Sequence, residues 1–126
     1  MAKILYIEDF EDNFIFVKRF LVPRGHDLFW AKNAEAGLEM AFQVKPDLIL
    51  LDLGLPDVDG QTLSTWLRGE PTLQSVPIVV LTAWPAEVAR HTVEAYNLDG
   101  YLCKPFKITE LIQLIEKLLG PTRHEN

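Results

Sequence analysis

The sequence predicts an α/β fold in which a five-stranded parallel sheet is covered by helices on both faces. Three observations lead there. Short apolar runs alternate with amphipathic stretches along the whole chain, the pattern of repeated βα units. Two runs, Leu48 to Leu51 and Ile78 to Leu81, are unbroken Leu, Ile and Val, as strands buried on both faces require. Polar residues fall at the ends of the runs rather than within them, and open α/β sheets place their ligands beyond the carboxyl ends of the strands.

In chain order, Ile4 to Ile7 is the first strand and a helix follows from about Asp12 to Val22. Phe14, Ile15, Phe16, Val17, Phe20 and Leu21 make that helix apolar nearly all round, so Phe14, Phe16 and Phe20 are expected in the core. Pro23-Arg24-Gly25 ends it. Leu28 to Ala31 is less apolar and reads as a strand near an edge. Asn33 can cap a second helix whose Ala34, Leu38, Ala41 and Phe42 share one face. After the strand ending at Asp52, Asp59 is the candidate cap of a third helix, with Leu63, Trp66 and Leu67 on its inner side. Pro71 and Pro77 bracket the next loop. Ile78 to Leu81 ends on Thr82, and Pro85 suits the first turn of a fourth helix that can stop at Asn97 in a left-handed cap. Tyr101 to Cys103 is the fifth strand, ending at Lys104. Ile108, Leu111, Ile112, Ile115, Leu118 and Leu119 form the apolar stripe of the last helix. Residues 1–120 are expected as one domain and 121–126 as a short C-terminal tail.

Composition excludes several functions. With 126 residues, 48% of them hydrophobic, the chain supports one core. Its net charge of -6 and pI near 5.0 disfavour nucleic acid and anionic lipid as partners. The first apolar run is far too short for a signal or spanning segment, and the single Cys103 fits a reducing compartment, so a cytoplasmic location is expected. Cys103 itself reads as a small packing residue. His26, His91 and His124 lack metal spacing and are expected at the surface.

Four of the five strands end in a group that can bind a charge: Glu8 and Asp9, Asp52, Thr82, and Lys104. Right-handed crossovers bring those ends to one edge. Placing the most apolar strands at the centre leads to the order 2-1-3-4-5 of a flavodoxin-like (βα)5 three-layer sandwich, an order adopted from known doubly wound folds rather than derived. Glu8 and Asp9 then adjoin Asp52 in the crevice where the order reverses. Three carboxylates there repel one another unless a cation or proton intervenes. Oxygen-only ligands favour a hard cation such as magnesium (Mg2+), with a carbonyl of the Gly54 loop available. Lys104 and Thr82 stand opposite with donors and no carboxylate of their own. The arrangement reads as a phosphoryl site with Asp52 as nucleophile.

Glu8-Asp9, Asp52 in LDLGLPDVDG, Thr82-Ala83, Tyr101 and Lys104-Pro105-Phe106 together resemble the signature of response-regulator receiver domains of two-component signalling. The resemblance spans essentially the whole chain. It implies that Asp52 accepts a phosphoryl group from a histidine kinase or phosphotransfer protein, so the domain is a phosphoacceptor and not a turnover enzyme. It also implies that Asp9 and Asp52 ligate Mg2+ directly, that Glu8 helps through water, and that Gly54 offers its carbonyl. By the same resemblance Thr82 and Lys104 are expected to hold the phosphoryl oxygens, Thr82 and Tyr101 to form the switch, and Lys104-Pro105 to be cis. Signalling is expected through the face of the fourth helix, fifth strand and fifth helix, in a monomer or a dimer weakly joined there. A stand-alone regulator is expected, because the last residues resemble no linker.

Glu8 replaces a more frequent Asp, and Gly54 and Trp84 stand where the family often carries polar or small groups. Trp84 either covers the site and slows hydrolysis or points away and does little. A haloacid-dehalogenase-like phosphatase needs an Asp-x-Asp pair after the first strand, and a flavin or nucleotide module needs a Gly, Ser or Thr-rich loop there; Phe10-Glu11-Asp12 offers neither. The remaining alternative is a receiver-like adaptor that binds partners without phosphorylation.

Overall fold

A computed structural model describes residues 2–120. Among them, five parallel strands, β1 (Lys3–Ile7), β2 (Asp27–Ala31), β3 (Leu48–Leu51), β4 (Ile78–Thr82) and β5 (Gly100–Cys103), form a sheet in the order β2-β1-β3-β4-β5. The helices between and after them are α1 (Glu11–Leu21), α2 (Ala34–Val44), α3 (Gly60–Arg68), α4 (Ala86–Ala95) and α5 (Ile108–Leu119). This is the expected flavodoxin-like sandwich, with β2 at one edge and β5 at the other. The tail at 121–126 and His124 lie outside the described residues.

Side chains alternate between the two faces of a strand, and two apolar layers result. Ile4, Tyr6, Leu48, Leu50, Val79 and Leu81 pack with Phe14, Val17 and Leu21 of α1 and with Leu111 and Ile115 of α5. Leu5, Ile7, Ile49, Leu51, Ile78 and Val80 pack against α2, α3 and Leu98 on the other face. β3 and β4 are buried throughout, which is why they read as continuous apolar runs; burying each such Leu, Ile or Val contributes about 1.5–3 kcal/mol.

The local signals for the helix ends act as expected. Asn33 accepts the backbone N–H of Ala36 at 2.8 Å and Asp59 that of Thr62 at 2.8 Å. Asn97 takes a positive φ of 58° just past α4.

Several burial expectations are corrected. Phe42 and Trp66 are exposed, at 45% and 47%, instead of facing inward. α2 lies so close to the sheet that small residues make the contact: Ala34, Gly37 and Ala41 are buried, and a Cβ on Gly37 would stand 2.7 Å from Ile7 Cδ1. Each residue turns about 100° from the last, so Phe42 after Ala41 and Trp66 before the buried Leu67 lie on the flanks. Likewise α1 points Phe14, Val17 and Leu21 inward, leaving Phe16 and Phe20 exposed and edge-on to each other at 5.4 Å. His26, expected at the surface, is buried. Gly25, at φ 95°, turns the chain back so that His26 Nδ1 accepts the Ala2 N–H at 3.3 Å. His91 is exposed as expected.

The edge of the sheet opposite the polar strand ends is tied by Arg68. Its guanidinium donates to the carbonyls of Leu73, Val76 and Asn97 and to Asp99 Oδ2 at 2.6 Å. That Asp99 oxygen also accepts the Ile78 N–H at 2.8 Å. One side chain thus joins α3, the loop before β4 and the approach to β5. Arg68→Met removes all of these donors, and chemical denaturation should show a loss of about 2–3 kcal/mol, because the acceptors left behind include a charged one.

Candidate functional site

The strand ladders run one residue past the strands, and this brings the polar residues to one rim. Glu8 N donates to Ala31 O at 2.9 Å, Asp52 N to Ile7 O at 3.0 Å, and Lys104 N to Thr82 O at 2.7 Å. By alternation Glu8 follows Tyr6, Asp52 follows Leu50, and Lys104 follows Leu102, all on the α1–α5 face. Thr82 follows Val80 and belongs to the other face. The Trp30 indole fastens the rim from β2, donating to Glu8 O at 2.6 Å.

Glu8, Asp9 and Asp52 each offer an oxygen within 4.8 Å of the others. Asp9 is exposed, while Glu8 and Asp52 are buried at 1% and 8% exposure. The two buried acids are treated unequally. Glu8 Oε1 accepts from Lys104 Nζ at 2.8 Å and from the Tyr6 hydroxyl at 3.0 Å, and Oε2 accepts from Phe10 N at 3.2 Å. Burial alone would raise its pKa, but the Lys104 hydrogen bond and charge, with those other donors, bring it below the ordinary glutamate value. Among the described residues, Asp52 has only Gly54 N at 3.4 Å, and Lys104 Nζ at 3.8 Å. Burial, then the charge of Glu8, therefore raise Asp52 above the usual aspartate value despite Lys104.

Lys104, expected to stand opposite the acids, reaches across to them: in this arrangement it holds Glu8 first and Asp52 second. Glutamate's extra methylene gives the reach for that contact. Gly54 is exposed at the rim with open space beside its Cα. Thr82 Oγ1 accepts the Trp84 N–H at 3.0 Å, which leaves the hydroxyl proton to donate elsewhere. Tyr101 does not join the acids; it is half-buried against the core on the α2–α3–α4 side. Trp84 is half-buried and packs against that same core. Lys104-Pro105 is cis.

Residues that the sequence reading passed over complete the site. Tyr6 was legible as a phenol in an aliphatic strand, on the face of the acid two positions later. Asp57 was not: its carboxylate accepts the N–H groups of Ala34 at 2.9 Å and Glu35 at 3.0 Å, so the loop after Asp52 caps α2 from 23 and 22 positions away. Those donors, Ala34 first, hold Asp57 below the usual aspartate range. Gly60 allows the same loop to close tightly. It donates to Leu53 O at 3.1 Å, and a Cβ there would stand 2.7 Å from Leu53 Cα.

The donor set fits a hard divalent cation: several carboxylate oxygens converge, one acid faces solvent, and no sulfur or imidazole is offered. In chelator, Asp52 carries a charge that the fold disfavours. Because its folded pKa lies above the unfolded one, the cost grows as pH rises through that raised pKa and vanishes below the ordinary aspartate value near 3.9. Asp52→Asn should therefore melt above wild type at pH 7 in EDTA, with the gap closing as pH falls toward that value.

Comparison with known proteins agrees with the geometry. The family model of the response regulator receiver domain matches residues 4–116. The polar-differentiation response regulator DivK of Brucella anthropi is 26% identical over 117 residues, covering 93% of this chain and 95% of that protein. A two-component response regulator from Clostridium difficile superposes with a TM-score of 0.87 at 31% identity, over 94% of this chain and 96% of the other. The receiver domain of a sensor histidine kinase from Pseudomonas aeruginosa, whose structure holds a magnesium ion in the active site cleft, gives a TM-score of 0.86 at 28% identity, over 95% and 98% of the two chains. With its parallel sheet, its acidic rim and this match over most of its length, the chain belongs to the response regulator receiver domain family.

Proposed function

We propose that the protein is a phosphoacceptor of two-component signalling, in which Asp52 takes a phosphoryl group from the phosphohistidine of a histidine kinase or phosphotransfer protein. The observation that carries this reading is the position of Asp52: a buried carboxylate at the rim, with Glu8 and Asp9 close on one side and Lys104 Nζ at 3.8 Å. In the transfer an Asp52 oxygen forms the new O–P bond as the P–N bond breaks, and the imidazole leaves with that electron pair. Asp52 is suited to this because few donors compete for its oxygens, whereas those of Glu8 are engaged.

Asp9 and Asp52 would hold Mg2+ directly, Glu8 through water, and Gly54 by its carbonyl. Bound there, the ion neutralises charge on the phosphoryl oxygens. Lys104 supplies a second positive charge by turning from Glu8 to the phosphoryl group, and the Thr82 hydroxyl donates a further hydrogen bond. Transfer adds about -1.5 to -2 charge at the rim. Thr82 is drawn toward it, Tyr101 turns inward, and the α4–β5–α5 face changes for a downstream partner. The two arrangements interconvert without phosphate, and phosphorylation shifts their populations.

The protein acts in this reading as a cytoplasmic signalling domain over residues 1–120, without turnover chemistry, as a monomer or a weak α4–β5–α5 dimer. Among the described residues no helix is long and apolar enough to cross a membrane. Incubation with acetyl phosphate and Mg2+ tests the core of the proposal by intact-mass measurement. Wild type should gain one phosphoryl group and Asp52→Asn none. A labelled Asp52→Asn protein would refute the assignment, and an unlabelled wild type would favour an adaptor that works without phosphorylation.

A further inference from the structure

We propose that Tyr6 is a positioning residue of the phosphoryl site: its hydroxyl fixes Glu8 in the pose that clasps Lys104, and so sets how readily Glu8 turns to a cation. The inference rests on the reading of Asp52 as a magnesium-assisted phosphoacceptor.

Tyr6 is the only polar side chain between Ile4 and Ile7, and it is 1% exposed. A phenol so deeply buried needs a hydrogen-bond partner, and among the described residues Glu8 Oε1 at 3.0 Å is the one it has. Its ring lies in the α1–α5 layer, 6.5 Å from that of Phe14, and the hydroxyl projects to the rim. Glu8 is thus held by three donors, of which two can find replacements when it moves. Lys104 is 22% exposed along its side chain and borders a cleft of about 370 Å³ beside Pro105 and Phe106. Phe10 is exposed, and its backbone lies at the surface turn before α1. Tyr6 lines the same cleft but is only 1% exposed, so in this packed pose its hydroxyl is met by Glu8 and not by solvent. Turning Glu8 away strands that donor, and a buried unsatisfied donor is costly.

Tyr6 therefore restrains Glu8, and through it Lys104. When Glu8 leaves Lys104, the lysine loses the carboxylate at 2.8 Å and keeps Asp52 at 3.8 Å. The two motions needed for metal binding and for phosphoryl contact are coupled by one hydroxyl.

Calorimetric titration of Mg2+ into wild type, Tyr6→Phe, Glu8→Ala and the double variant tests this directly. Tyr6→Phe keeps the ring and removes only the donor; it should bind Mg2+ about three- to tenfold more tightly, the fold-change a single such hydrogen bond represents. In the Glu8→Ala background the same substitution should leave the dissociation constant unchanged, because no carboxylate remains to be restrained. Tyr6→Met, which also fills the space without a hydroxyl, should tighten binding in the same direction and guards against a ring-specific artefact. Equal or weaker binding by Tyr6→Phe overturns the restraint. Equal tightening with and without Glu8 also overturns it and assigns the effect to packing. A wild type that binds no Mg2+ overturns the underlying reading instead, so the two failures are distinguishable.

Discussion

The rest of the site depends on the ion pair between Lys104 and Glu8 at the rim of an otherwise apolar sheet. A buried carboxylate is tolerated only where charge and donors compensate for lost hydration. Glu8 obtains both, from a lysine brought by β5 and a phenol brought by β1. Asp52, one strand away, obtains little of either. This inequality gives two acids of similar burial different surroundings: the oxygens of Glu8 are engaged by donors, and those of Asp52 are nearly free of them. Environments that push neighbouring titratable groups in opposite directions are a common physical sign of such a division.

The fold delivers that inequality through register. β1 pairs with β3 and β4 with β5 in parallel, so Ile7 meets Leu51 and Thr82 meets Cys103. Each chain then continues one residue into the rim with its side chain on a set face. Glu8, Asp52 and Lys104 fall on the α1–α5 side and Thr82 on the other, so a group bound at Asp52 can be met by charge from one layer and by a hydroxyl from the other. Behind them, the close approach of α2 at Gly37 and of the loop at Gly60 fixes the rim from beneath. Asp57 ties that loop to the start of α2, so the segment leaving Asp52 is anchored to the neighbouring helix that packs on β1 and β2.

The aromatic residues show a different outcome of the same packing. Phe16, Phe20, Phe42 and Trp66 are large and apolar, yet all four lie exposed. The helices sit on the sheet through Ala, Gly, Val and Leu with Phe14 and Ile115, and the stripe in contact is narrower than the apolar content suggests. α1 keeps its surface rings in contact with one another and with Phe106 beside the rim, and α2 and α3 leave Phe42 and Trp66 along one groove.

The sequence by itself determined the fold class, the five strands and helices, the caps at Asn33, Asp59 and Asn97, and the gathering of Glu8, Asp9, Asp52, Thr82 and Lys104 at one edge. Those features follow from local patterns: apolar runs of strand length, short polar caps, and the rule that parallel strands end together. The depth of the helix contacts, and so the exposure of Phe42 and Trp66, was beyond it, because helical periodicity gives a face but not the width of that face in contact. So were the burial of His26, the capping of α2 by Asp57, and the pairing that gives Lys104 to Glu8 rather than to Asp52. Each joins side chains or backbone groups 22 to 96 positions apart, at distances where a fraction of an ångström decides the partner. Residue order fixes which groups share the rim; only the packed geometry decides which of them hold one another.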